Sequence, residues 1–144
     1  MDLKPSNVLI TRNNKAMVID YGISKGSTEK RKVFEHTKMY CAPEQLDPDK
    51  NLDKRTDIYS LGLLMHQMLC GSSPYSANSN EELEDKVKYK KTKRMMDLYP
   101  AINEDFQKIV DKATQKDPNL RYQTCSEFLK DLNYNNPIST SWKL

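Results

Sequence analysis

The chain has 144 residues, 37% of them apolar and 30% charged, the length and balance of one soluble globular domain. No apolar run approaches the roughly eighteen residues of a spanning helix, and the opening Met1-Asp2-Leu3-Lys4-Pro5-Ser6-Asn7 lacks a secretory stretch, so the expectation is a cytoplasmic protein with no membrane segment. A net charge of +3 from 23 basic and 20 acidic groups advertises neither nucleic acid nor a lipid surface, and three cysteines, an odd number with no metal-ligand spacing, suit a reducing compartment. Leu, Ile, Val and Phe make up only about a fifth of the residues, a thin core for the length.

In chain order, Val8-Leu9-Ile10 and Ala16-Met17-Val18-Ile19 flank the polar Thr11-Arg12-Asn13-Asn14, which predicts a short β-hairpin. From Gly22 to Glu44 the chain is polar and without period, which predicts a long loop. Thr56 to Cys70 predicts a helix apolar nearly all round and therefore buried, with Thr56 as its cap and Gly71 and Pro74 as its stop. Ser79-Asn80-Glu81-Glu82 has capping-box spacing and opens an exposed helix with an acidic start and a basic end. Within it begins the run Lys86 to Arg94, six cations without an acid, which reads as a solvated helix face rather than a nucleic-acid patch.

Asn103 precedes Phe106, Ile109, Val110 and Ala113 at helical spacing, and Thr124-Cys125-Ser126-Glu127 is a second capping box before the stripe Cys125, Phe128, Leu129 and Leu132. His36 and His66 read as packing or surface residues. The stretch from 134 to 144, with Pro137 and Trp142, reads as a tail. A hairpin followed by four or five helices predicts a mostly helical α+β fold.

The chemistry gathers at the hairpin. Asp2, Lys4 and Asn7 lie just before its first strand and Asp20 just after its second, and a hairpin brings its outer ends together. Two carboxylates and an amide oxygen are hard ligands suited to Mg²⁺ and phosphate oxygens. An adjacent Lys can neutralise a transferring phosphoryl group, and the remaining carboxylate can orient a hydroxyl and take its proton. Together they form a kit for phosphoryl transfer.

These residues also carry a resemblance. Asp2-Leu3-Lys4-Pro5-Ser6-Asn7 resembles the catalytic loop of protein kinases of the Ser/Thr type, Asp20-Tyr21-Gly22 the metal-binding triplet, and Ala42-Pro43-Glu44 the close of the activation segment, in the family's order and spacing. The resemblance covers residue 2 to about residue 133, in the style of bacterial members. It implies a kinase-like C-terminal lobe over residues 1–133, with ATP and Mg²⁺ as cofactors and a protein substrate. It implies Asp2 as catalytic base, Lys4 on the γ-phosphate, and Asn7 and Asp20 as metal ligands. Thr37 would sit in the substrate-docking loop beside Asp2 and Lys4, and Ser27 and Thr28 are candidate regulatory phosphosites. Asp57 resembles the helix Asp that holds the catalytic-loop backbone, and Arg121 the Arg that pairs with Glu44.

The family also covers ATP with a smaller lobe bearing a Gly-rich loop, a strand Lys and its helix Glu. No Gly-x-Gly-x-x-Gly occurs among the four glycines here, so the resemblance implies that this lobe, and the helix preceding the catalytic loop, are encoded upstream, with Met1 an internal codon. Without that helix, one flank of the buried helix is expected to be a sticky patch. The alternatives to a catalytic fragment are a non-catalytic kinase-like binding module and an inactive truncated product.

Overall fold

The computed structural model describes residues 3–19 and 38–135. Asp2, Asp20, Ser27, Thr28, His36, Thr37 and the stretch from 136 to 144 lie outside them. The architecture is mostly helical with one two-stranded antiparallel sheet, an α+β arrangement.

Strands β1 (Val8–Ile10) and β2 (Ala16–Val18) pair in the register Val8 with Val18, Leu9 with Met17 and Ile10 with Ala16. The turn closes through Thr11 N–H to Lys15 O and Asn14 N–H to Thr11 O, both 2.9 Å. Asn14 takes the left-handed conformation at φ 55°, which Asn tolerates better than most side chains.

Helix α1 (Lys54–Cys70) is the spine of the molecule. Its cap is Asp53, whose Oδ1 accepts from Arg55 N–H at 2.8 Å, and not the expected Thr56. Thr56 lies in the first turn, buried, with its hydroxyl committed to Glu44 at 2.9 Å. A long-range partner thus decided between two cap-competent residues. The helix ends as expected at Gly71, left-handed at φ 65°, with its N–H on Gln67 O. Burial is less than all round, since Met68 is 76% exposed.

Three clusters of core residues surround α1. Tyr59 and Leu63 meet Tyr40, Ala42 and Tyr75 and, from helix α2 (Asn80–Tyr89), Leu83 and Val87. Ile58 meets Ile109 and Ala113 of helix α4 (Glu104–Ala113), with Tyr122 and Phe128 beyond them, the last two edge to face at 5.0 Å. Met65 and Leu69 meet Met95, Ile102 and Val110. Gly62 lets α1 and α4 touch, for a Cβ there would stand 2.7 Å from Ala113 Cβ and 2.9 Å from Thr114 Cγ2.

Some local expectations change in detail. Helix α2 is not simply exposed: Leu83 and Val87, four apart, are buried beneath its charged face. In both capping boxes the hydroxyl does its part, Ser79 to Glu82 N–H and Thr124 to Glu127 N–H, each 3.1 Å. The carboxylates reach one residue further back than the motif prescribes, Glu82 to Asn78 N–H and Glu127 to Gln123 N–H. A short helix α3 (Met95–Leu98) follows the basic run, with Met95 fully buried. Helix α5 (Cys125–Asn135) buries Phe128 but leaves Cys125 and Leu129 exposed, so its stripe is narrower than the sequence spacing suggests.

Candidate active site

The described part of the catalytic-loop motif is a tight bend. Leu3 is buried, Lys4 is extended, and Pro5–Asn7 form a single 3₁₀ turn closed by Asn7 N–H to Lys4 O at 2.9 Å. Proline fits the start of such a turn because its φ is already fixed and its missing N–H is not needed there. Asn7 is 6% exposed, and its carbonyl accepts Ile19 N–H at 2.8 Å. That bond continues the hairpin pairing one step past Val8 and Val18, and ties Asn7 to the residue preceding Asp20. Lys4 and Asn7 therefore stand where the hairpin's two outer ends meet. A carboxamide oxygen and an amine carried on one bend are chemically suited to a magnesium-phosphate group rather than to a soft metal. The sequence-predicted partners Asp2, Asp20 and Thr37 lie outside the described residues, as do Ser27 and Thr28. Among the described residues no cluster of three or more His, Cys, Asp or Glu could hold a metal ion.

The chain from Lys38 to Leu46, two 3₁₀ turns, is fastened along α1. Tyr40 O accepts from Ser60 Oγ at 2.8 Å, and Tyr40 donates its phenol to the Gln67 side chain. Lys38 pairs with Glu84 of α2 at 2.6 Å. The anchor is Glu44, 5% exposed, bound by Arg121 in a bidentate fork at 2.6 and 2.8 Å. The remaining guanidinium donors go to the carbonyls of Gln115, Arg55 and Lys116 at 2.7, 3.0 and 3.1 Å, so all five are used. The guanidinium also lies 4.8 Å from the centroid of the Tyr59 ring. Burial pushes the Glu44 carboxyl up, but hydrogen bonds from Arg121, its own backbone and Thr56, with the guanidinium charge, outweigh it and hold the carboxyl below its ordinary range. Asp57 is half-buried in the first turn of α1, where a carboxylate suits the helix dipole.

Sequence reasoning missed a second cluster beside this corner. Lys116 Nζ donates to Tyr59 Oη at 2.9 Å, Tyr75 Oη at 2.8 Å and Val87 O at 2.6 Å, filling all three ammonium positions. The two phenols lie 3.0 Å apart. Burial, with repulsion from Arg121, lowers the Lys116 ammonium to about 8. Burial also raises both phenols above their usual value. The cluster joins α1, the chain after it, the end of α2 and the chain after α4. Nothing in Gln115-Lys116-Asp117 marks the Lys, because its partners come from 29 to 57 residues away.

With this geometry described, comparison with known proteins places the chain. The family model described as the protein kinase domain matches residues 1–132. The serine/threonine-protein kinase PknB of Mycobacterium leprae is 31% identical over 136 residues, which are 91% of this chain and 22% of that protein. A probable serine/threonine-protein kinase of Clostridium perfringens is 32% identical over 135 residues, 91% of this chain and 20% of its own length. Among solved structures, a twitchin kinase region from C. elegans superposes with a TM-score of 0.73 at 28% identity, over 90% of this chain and 23% of that one. The chain thus spans about a fifth of the length of the curated relatives it matches. It belongs to the protein kinase domain family and resembles that family's Ser/Thr members.

Proposed function

We propose that residues 1–133 carry the phosphotransfer side of a Ser/Thr protein kinase active site, acting on protein substrates, with 134–144 a tail. The observation that supports this most is the bond from Ile19 N–H to Asn7 O, which seals the catalytic-loop bend to the strand that leads into Asp20-Tyr21-Gly22. Magnesium-bound ATP, when present, supplies an electrophilic γ-phosphoryl group. Asn7 and Asp20 would hold the metal with oxygen ligands, and Lys4 would offset negative charge on the transferring group. Asp2 would orient a Ser or Thr hydroxyl and take its proton as the hydroxyl oxygen bonds to the γ-phosphorus and the bond from that phosphorus to the β–γ bridging oxygen breaks, releasing ADP. Thr37 assists from the docking loop, Ser27 and Thr28 are sites where added phosphate would order that loop, and Asp57 steadies the catalytic bend. The odd cysteine count suits a reducing cytoplasm.

The test is transfer of labelled γ-phosphate from Mg-ATP to a general protein substrate, compared with the Asp2→Asn variant. A fall of about 10²–10⁴-fold in turnover, with Mg-ATP binding kept, is expected on loss of the base. Equal transfer by variant and wild type would remove Asp2 from the reaction. A folded wild-type chain with neither transfer nor a nucleotide response would favour the binding-module reading.

A further inference from the structure

The basic run holds six positive charges, against +3 for the whole chain, so the rest of the sequence is net acidic. The structure shows that most of this run is not a helix face. α2 ends at Tyr89, and Lys90 to Arg94 continue as an extended strap. Lys86 is spent within α2, on Glu82 and on Ser76 O. No acid among the described residues pairs with Lys88, Lys90, Lys91, Lys93 or Arg94, and the last four are exposed.

The strap is also built rather than loose. Lys93 N–H donates to Pro74 O at 3.3 Å, and Lys93 O lies 2.8 Å from Nε2 of the fully buried His66. One residue beyond its end, Met95 N–H donates to the buried Gln107 at 2.7 Å. These inward bonds fasten the backbone at Lys93 and Met95 and leave the long side chains to solvent. A surface fixed in this way loses less entropy on binding than a free tail would.

We infer that the basic stretch Lys88–Arg94, the last residues of α2 and the strap that follows, docks an Asp- and Glu-rich segment of a protein partner. Uncompensated like charges on a fixed backbone select an opposite charge and steer its approach. Two observations favour a peptide over a phosphate backbone. A cleft of about 530 Å³ lies at the N-terminal end of the strap, lined there by Lys88 and Tyr89 of α2, and its walls also carry Lys50, Asp47 and Asp117. A nucleic acid would set a phosphate against those carboxylates at every nucleotide, whereas a peptide can turn its N–H groups toward them and its acidic side chains toward the lysines. Tyr89, 71% exposed, offers an apolar face to a side chain entering the cleft.

The experiment is fluorescence anisotropy of a short labelled poly-glutamate peptide titrated with the full chain. Two triple variants are compared: Lys90→Ser, Lys91→Ser, Lys93→Ser on the strap, and Lys15→Ser, Lys54→Ser, Lys130→Ser at exposed positions elsewhere, which removes the same net charge. The strap variant is expected to weaken binding about tenfold, and the control much less. Equal losses would reduce the strap to net charge and overturn the inference, as would no binding by the wild type. A strap-dependent preference for single-stranded DNA or for anionic vesicles over the peptide would overturn it too. Circular dichroism confirms that each variant is folded. Because binding is read directly, the result stands apart from any phosphotransfer measurement.

Discussion

The corner beneath Glu44 and the hairpin that begins at Val8 remove groups from water in opposite ways. At the corner, a carboxylate and a guanidinium are buried and an ammonium is half-buried, and every donor of the two cations is matched by an oxygen from this chain. In the hairpin the backbone is paired, yet Leu9, Ile10, Met17 and Val18 are about half to two-thirds exposed. The corner is costly to assemble and complete once made, while the hairpin is held by its ladder and turn with little side-chain burial. On α1, where a sticky flank is expected, Met68 is the one large apolar side chain that is exposed. A change at one corner residue strands its partners, whereas a single hairpin side chain can change without stranding one.

The largest expected effect comes from breaking the corner. Arg121→Ala leaves Glu44 buried with only Thr56 and its own backbone as hydrogen-bond partners, and takes a donor away from the carbonyls of Gln115, Arg55 and Lys116. Removing one member of a buried pair costs about 3–5 kcal/mol. Urea unfolding at neutral pH measures it, and faster proteolysis between Gly22 and Glu44 is expected alongside. The pH dependence has a sign as well. Glu44 is held below its ordinary range, so its contribution is present above the unfolded carboxyl pKa and is lost as pH falls through the folded one. In the Glu44→Gln variant that part of the acid-side loss should disappear. An unchanged acid limb would mean that Glu44 is not the linked group.

How far such features can be read from residues alone depends on how local they are. Ser79 and Thr124 cap helices and Gly71 stops α1 as expected, and Asn103, which the sequence places just before its helix, caps α4, because each acts within a turn of itself. Thr56 misled because its rival Asp53 is three residues away, and the deciding partner Glu44 is 12 residues away on another element. α2 looked exposed because two apolar residues among charges make a weak stripe, yet Leu83 and Val87 suffice once Tyr59 and Tyr75 face them. Lys4 and Asn7 were legible as part of a spaced motif. The pairing of Arg121 with Glu44 came only from family resemblance, and Lys116 from neither source.

A smaller effect tests whether the corner's second cation is a stabiliser or a burden. Lys116 has its ammonium lowered to about 8, so the native state disfavours its charge. Between about 8 and the unfolded value near 10.5 the unfolded chain holds more protons, and stability attributable to this group rises with pH. Against Lys116→Met, which keeps Tyr59 and Tyr75, the wild type should gain about 1–2 kcal/mol across that window, after discounting for partial exposure. The tyrosines are common to both proteins, so their opposite trend above pH 10 largely cancels in the difference. Thermal melts at stepped pH give the curve. A flat difference would show that Lys116 keeps its ordinary affinity for protons.

The smallest effect belongs to the hairpin and separates ladder from side chains. Ile10 and Val18 are 66% and 53% exposed, so replacing both with Thr keeps two β-branched residues in their strands and removes two apolar surfaces from water. Stability should change by no more than about 0.5 kcal/mol, the range of surface substitutions away from special features. Retention on a hydrophobic column should fall, since the exposed apolar area falls while the fold does not. A loss of several kcal/mol would instead mean that these side chains are packed in solution, and that the hairpin, like the corner, is completed by contacts rather than by its backbone alone.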